Sequence, residues 1–266
     1  MPRPKKSLGQ HFLSDPNILD RIVAALDPAP GDVVLEIGPG TGTLTERLLA
    51  AGLRVVAIEK DRGLAKALEA RNTERVTLVL GDALKVDWHA AMAEAVLGIP
   101  TFKVIGNIPY NITTPLIDKA LTAPLPERIV FLVQDEVAAR LAAVPGTRAY
   151  GALTVGVQAV CRVERLFGVK AGAFRPPPRV DSAVVRLTPL PEPLVSPEAR
   201  PDFRRLVTAC FGGRRKQLRN ALAHATGHPA PVVAAALGRM GIDPAARPET
   251  VSVAQFAALL ILEGRL

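Results

Sequence analysis

Several classes of protein are excluded by what this chain has little of. Cysteine occurs twice among 266 residues, as Cys161 and Cys210, far apart and without a Cys-x-x-Cys pair. Neither a disulfide framework nor a thiolate metal site is encoded, and two reduced, buried thiols are expected. The four histidines, His11, His89, His224 and His228, show no metal-ligand spacing with other ligands, so no metal is expected. No apolar run approaches the roughly 18 residues of a membrane helix. The start, Met1-Pro2-Arg3-Pro4-Lys5-Lys6, leads into polar sequence without the apolar core of a secretory signal, and a cytoplasmic protein is the expectation. Aromatic residues make up only 4% of the chain, which gives weight to each one that falls beside a chemistry-bearing motif.

What the chain does have is an excess of positive charge. A net charge of +8 and a pI near 9.9 suit an anionic partner, although charge alone speaks to attraction and solubility rather than to fold. Its distribution says more. Between Phe203 and Asn220 stand six cations, Arg204, Arg205, Arg214, Arg215, Lys216 and Arg219, and no acid, while Arg3, Lys5 and Lys6 cluster at the front. A solvated helix face is one reading of such a run; the lack of interspersed carboxylates favours phosphate contact.

Along the chain, β-type apolar runs alternate with helical patterns. Asp15 and Pro16 are placed to cap and start a first helix with Ile18, Leu19, Ile22, Val23 and Leu26 facing inward. Strands are expected at Val33–Ile37, Val55–Ile58, Val76–Leu80, Val104–Ile105 and Ile129–Val133, with helices near Leu44–Ala51, Gly63–Ala70, Ala90–Leu97 and Thr114–Leu121 between them. This is βαβ alternation, which implies an α/β fold with a mostly parallel sheet covered on both faces. After Tyr150 the pattern changes. Val163–Val169 and Val180–Leu187, joined by Phe174-Arg175-Pro176-Pro177-Pro178-Arg179, resemble a hairpin closing the sheet antiparallel. The prolines of Pro189–Pro193 mark a linker, and helices are expected over Asp202–Leu222, Val232–Met240 and Val253–Leu262. Two domains are implied, 1–189 carrying the sheet and 190–266 all helical.

Four successive strand ends carry a polar or glycine feature, and in an open α/β sheet that edge is where ligands bind. The first strand runs into Glu36-Ile37-Gly38-Pro39-Gly40-Thr41-Gly42, where the lack of a Cβ lets the backbone approach a ligand. The spacing is G-x-G-x-G and departs from the G-x-G-x-x-G of dinucleotide sites. Glu59 closes the second strand, placed as an acceptor for ribose hydroxyls. Asp82 closes the third, placed for an adenine amino group. The fourth ends in Asn107-Ile108-Pro109-Tyr110, an amide, a rigid proline and a ring presented together.

This ordered set resembles the class I S-adenosylmethionine methyltransferases, with Asn-Ile-Pro-Tyr as the N6-adenine form of their fourth motif. Leu8-Gly9-Gln10-His11-Phe12-Leu13, Glu36–Gly42, Gly106–Tyr110, Phe174–Ser182 and Arg214–Leu222 together are similar to the small-subunit rRNA adenine N6,N6-dimethyltransferases, across the whole chain. His11 stands where asparagine is also common. The resemblance implies that His11, Leu13, Gly38, Glu59, Asp82 and Asn107 line the donor site. It implies that Asn107 and the Ile108 carbonyl accept the target amino hydrogens, that Pro109 fixes the turn, and that Tyr110 and Phe174 stack on the base. Arg214, Arg215, Lys216 and Arg219 would hold RNA phosphates. The implied partner is 16S rRNA in an assembling small subunit, met by a monomer. Three alternatives stay open: a large-subunit rRNA adenine methyltransferase of the macrolide-resistance type, a mainly non-catalytic ribosome-assembly factor, and, least favoured by the glycine spacing, a nicotinamide oxidoreductase.

Overall fold

A computed structural model gives the structure of residues 4–5, 8–70, 74–96, 101–213 and 216–263. The chain divides into two units, Met1–Ala138 with Glu164–Pro189, and Ala139–Val163 with Leu190–Leu266. One boundary falls at the linker prolines. The other departs from the expected division at 189/190, because 139–163 folds with the C-terminal helices rather than with the sheet. Main-chain bonds explain why: Gly146 N–H donates to the Glu249 carbonyl at 2.7 Å and Leu190 N–H to that of Val160 at 2.9 Å. The Tyr150 hydroxyl also donates to the Val251 carbonyl at 2.8 Å.

The first unit begins with β1 (Phe12–Leu13), α1 (Pro16–Ala25), β2 (Val33–Ile37), α2 (Thr43–Ala50), β3 (Arg54–Glu59) and α3 (Arg62–Glu69). It continues through β4 (Val76–Leu80), α4 (Trp88–Ala95), β5 (Lys103–Asn107), α5 (Thr113–Ala120) and β6 (Arg128–Gln134). After α6 (Asp135–Leu141) and α7 (Ala152–Gln158) come β7 (Cys161–Val169), β8 (Phe174–Arg175) and β9 (Ser182–Pro189). The sheet order is β4-β3-β2-β5-β6-β9-β7. Strands β2 to β6 run parallel, and β9 runs antiparallel to β6. The chain leaves β2 toward β3 on one side and returns to β5 on the other, so the sheet has its switch point between the carboxyl ends of β2 and β5.

Strands buried on both faces read as unbroken apolar runs rather than as alternation. All five residues of β2 are buried, whereas edge strand β4 is half exposed. The Asp15 carboxylate accepts from the Asn17 and Ile18 amides, and Pro16 starts α1, whose Leu19, Ile22 and Val23 are buried. Each such side chain contributes about 1.5–3 kcal/mol of burial free energy. The proline-rich segment behaves differently from a simple hairpin turn. Phe174 and Arg175 form β8, which pairs antiparallel with β1 in a separate two-stranded ribbon.

The second unit holds α7 together with α8 (Arg200–Phe211), α9 (Leu218–Thr226), α10 (Ala230–Arg239) and α11 (Val253–Glu263). The single helix expected over Asp202–Leu222 is two, interrupted after Phe211 by Gly212 and Gly213, residues that weaken a helix by about 1 kcal/mol each. Phe203, Leu206, Cys210, Val233, Leu237 and Phe256 are buried there.

Candidate active site

One cavity in the first unit collects the carboxyl ends of β2, β3, β4 and β5 under the segment Leu8–Leu13. The loop after β2 makes its floor. Gly38, Gly40 and Gly42 have φ of +67°, +59° and +81°, values that side-chain-bearing residues rarely adopt. A Cβ on Gly40 would lie 3.1 Å from the Phe12 ring, so the loop and the segment above it are matched in shape.

Glu59 is tied to that loop. One carboxylate oxygen accepts from the Gly40 amide at 3.0 Å and the other from the Asp61 amide at 2.7 Å. Burial pushes its pKa up, against those two bonds. Asp82 behaves oppositely. Lys60 Nζ donates to it at 2.9 Å and holds its carboxyl below the usual range, helped by the Leu84 amide. Glu36, at the end of β2, is 1% exposed and takes a bond from the Thr45 hydroxyl at 2.7 Å.

At the end of β5 the Asn107 Nδ2 donates to the His11 carbonyl at 2.7 Å. That bond uses the amino side of the amide and leaves the oxygen free to accept. The Ile108 amide donates to the Leu132 carbonyl at 3.1 Å, and its side chain is 1% exposed, so only its main-chain carbonyl can serve a ligand. The half-buried Tyr110 shares a hydrogen bond with Ser182 Oγ at 2.7 Å. Burial raises its phenol pKa.

The segment over the cavity is fastened at several points. Lys5 Nζ and Gln10 Nε2 donate to the two oxygens of Asp61 at 2.8 and 3.3 Å. The Thr43 hydroxyl donates to the Leu13 carbonyl at 3.0 Å. The His11 Nδ1 donates to the Pro176 carbonyl at 2.8 Å, and its ring stacks on Tyr110 with centroids 5.8 Å apart.

Of the residues expected at the site, His11, Leu13, Gly38, Glu59, Asp82, Asn107, Ile108, Pro109 and Tyr110 all line this cavity. Phe174 does not. Its register opposite Leu13 turns the ring inward, where it is 1% exposed within the hydrophobic core, so it offers no face to a base in this structure. Lys216 is exposed and Arg219 partly so, in the second unit; Arg214 and Arg215 lie outside the described residues. Among the described residues no group of three or more His, Cys, Asp or Glu is placed to hold a metal. The sequence assigns no role to Glu36, Lys60, Phe12 or Asp61. Their link to the site is tertiary, and only the adjacency of Lys60 and Asp61 to Glu59 hinted at it.

A parallel sheet with a glycine loop after its central strand, acids after the next two and an Asn-Ile-Pro-Tyr turn beside them defines a Rossmann-like methyltransferase. The particular family emerges from comparison: the family described as ribosomal RNA adenine dimethylase matches residues 1–262, and this chain belongs to it. A relative from Syntrophotalea carbinolica named ribosomal RNA small subunit methyltransferase A is 44% identical over 258 residues, 97% of this chain and 96% of its own. One of the same name from Anaeromyxobacter dehalogenans is 46% identical over 268 residues, 97% and 92% of the two chains. Among solved structures, a dimethyladenosine transferase from Plasmodium falciparum superposes with a TM-score of 0.79 at 29% identity, covering 96% of this chain and 98% of its own. The 23S rRNA methyltransferase ErmE does so at 0.72 and 29%, covering 94% and 98%.

Proposed function

We propose that this chain transfers methyl groups from S-adenosylmethionine to N6 of two adjacent adenosines near the 3′ end of small-subunit (16S) rRNA, giving N6,N6-dimethyladenosine on an assembling subunit. Identities of 44% and 46% to the small-subunit relatives, against 29% to ErmE, favour this over the large-subunit substrate. In this reading the protein acts on ribosomes in the cytoplasm, as a monomer; separately, no helix among the described residues is long and apolar enough to cross a membrane.

The cavity suits the donor. Its wall carries Glu59 and Asp82, acceptors matched to a ligand with hydroxyl and amino groups to donate, and its floor is glycine without Cβ atoms. S-adenosylmethionine supplies, when bound, a methyl group on a sulfonium whose sulfur leaves as a neutral thioether. Everything else falls to the protein.

The carrying observation is the orientation of Asn107, whose Nδ2 is committed to the His11 carbonyl. The N6 lone pair of adenine is delocalised into the ring and is a weak nucleophile. With the Asn107 oxygen and the Ile108 carbonyl accepting the two amino hydrogens, that nitrogen is drawn toward tetrahedral geometry and its lone pair is aimed at the methyl. This is positioning and electrostatic preorganisation, without a general base. The proton is lost to solvent after transfer. Tyr110 supplies a stacking face, worth about 1–3 kcal/mol per base. The target adenosine must be unpaired or flipped to arrive there, and Lys216 and Arg219, with Arg214 and Arg215, hold phosphates.

Incubating the protein with labelled S-adenosylmethionine and unmodified small or large subunits, then mass analysis of nucleosides, tests the proposal. Dimethyladenosine is expected in small-subunit RNA. Its presence only in large-subunit RNA would transfer the assignment to that substrate.

A further inference from the structure

Tyr110 is gripped from two directions by one stretch of chain. Its hydroxyl bonds to Ser182 Oγ at 2.7 Å, and Ser182 is 1% exposed at the start of β9. Its face carries the His11 ring, which is tethered to the Pro176 carbonyl. Pro176 and Ser182 bracket the same proline-rich loop. Ser182 itself is held firmly: it pairs with Gln134 of β6. The preceding residue, Asp181, receives the Asp135 amide on its carbonyl at 3.1 Å and the Ala171 amide on its carboxylate at 3.0 Å.

A phenol ring moves about two bonds, and its place and its tilt together decide whether a base laid against it also brings N6 to Asn107. Stacking alone leaves the place of the ring soft, since it tolerates sliding. The hydroxyl oxygen lies on the Cβ–Cγ axis, so a fixed partner there stops the ring from swinging about Cα–Cβ and sets where it stands, while rotation about Cβ–Cγ, which tilts the plane, is limited by the stacked His11 ring. Ser182 is well suited to this. It is small, it belongs to a paired strand, and its hydroxyl can donate or accept.

We propose that Ser182 is a positioning residue for methyl transfer, acting through the Tyr110 hydroxyl to fix the place of the ring on which the target adenine stacks. This rests on the reading of Tyr110 as the base platform. Ser182 lies outside the donor cavity, so its effect falls on alignment of the base and not on the donor. Tyr110 and Ser182 then form one device whose two halves are equivalent: removing either hydroxyl frees the ring.

The test is a double-mutant cycle with Ser182→Ala, Tyr110→Phe and their combination. It measures methylation of unmodified small subunits and S-adenosylmethionine dissociation by calorimetry, both below the unfolding transition of every variant. Each single change is expected to lower kcat about 3- to 10-fold, the span of one neutral hydrogen bond. The double variant is expected to be no worse than either single, because the second removal finds nothing left to break. The donor dissociation constant should be unchanged throughout. Wild-type kcat in Ser182→Ala, multiplying losses in the double variant, or a donor constant that weakens in step with kcat would each overturn the inference. Tyr110→Ala separates it from the reading beneath it. A large loss there beside an intact Ser182→Ala rejects the positioning role alone, whereas full activity in Tyr110→Ala rejects the platform and the inference with it.

Discussion

The side-chain amide of Asn107 donates to the main-chain carbonyl of His11 at 2.7 Å, joining the end of β5 to the segment that covers the cavity. One bond therefore orients the acceptor oxygen and fastens the cover. Asn107→Ala removes both and is expected to lower kcat about 10²- to 10³-fold, as for loss of a preorganised polar group. Asn107→Asp keeps acceptor oxygens but sets a carboxylate against the His11 carbonyl, so it should also weaken S-adenosylmethionine binding. Single-turnover methylation and calorimetry on both variants check this. Full activity in Asn107→Ala would remove the amide from the chemistry.

The positions of these groups were legible in the sequence to the extent that they lie where a buried parallel strand ends. Val33–Ile37 is apolar except for Glu36 and Val76–Leu80 except for Thr77, and the residues just after each run land on one edge of the sheet. The β1–β8 ribbon was not legible. It pairs two residues with two others across more than half the chain, too short for any periodicity. Phe174 was consequently expected at the cavity, whereas its pairing with Leu13 puts it in the core. The fastening of the cover by Lys5, Gln10 and Asp61 was hidden for the same reason, since it spans some fifty residues and leaves no local pattern.

Gly106 immediately precedes Asn107, and the structure gives it a packing reason. A Cβ there would stand 2.8 Å from the Ile37 carbonyl oxygen of the neighbouring strand and 3.0 Å from Ile108 Cδ1. The main chain of β2 cannot yield without breaking its ladder. Gly106→Ala is expected to cost about 1–3 kcal/mol of stability, as overpacking does, and to lower activity by displacing Asn107. Denaturant titration compared with methylation rate checks both. A variant as stable as the parent would show that the strands part without cost.

The cover should act as a brake on donor release. Lys5 and Gln10 converge on Asp61, whose carboxyl is held below its usual range chiefly by the Lys5 ammonium. Replacing both with alanine is expected to weaken S-adenosylmethionine binding about three- to tenfold, within the range of one or two partly exposed polar contacts. The Lys5 part of this effect should shrink at high salt. Dissociation constants at low and high ionic strength decide it; unchanged affinity would mean that the cover opens without involving Asp61.

Lys216 and Arg219 flank the start of α9. If both meet phosphates, Lys216→Ala with Arg219→Ala weakens RNA association and reduces the slope of log affinity against log salt by roughly one for each phosphate no longer neutralised. The measurement is binding to unmodified small subunits across a salt series. An unaltered slope would assign these cations to a solvated face.

Glu36 makes the cavity wall sensitive to pH. It is fully enclosed, and burial, reinforced by the charge of Glu59 and opposed by the Thr45 hydroxyl, pushes its carboxyl from the usual 4.5 up to about 7. Between those values the folded protein keeps a proton that the unfolded chain has released. The contribution to stability is therefore complete below about pH 4.5, declines as pH rises through about 7, and is gone above it. The span is on the order of 3 kcal/mol at most. Glu36→Gln keeps an oxygen for Thr45 and removes the titration. Its stability relative to the parent should rise from about pH 5 to about pH 8, as denaturant titrations at both values will register. Parallel behaviour of the two proteins would mean that Glu36 is already ionised in the fold at the lower pH.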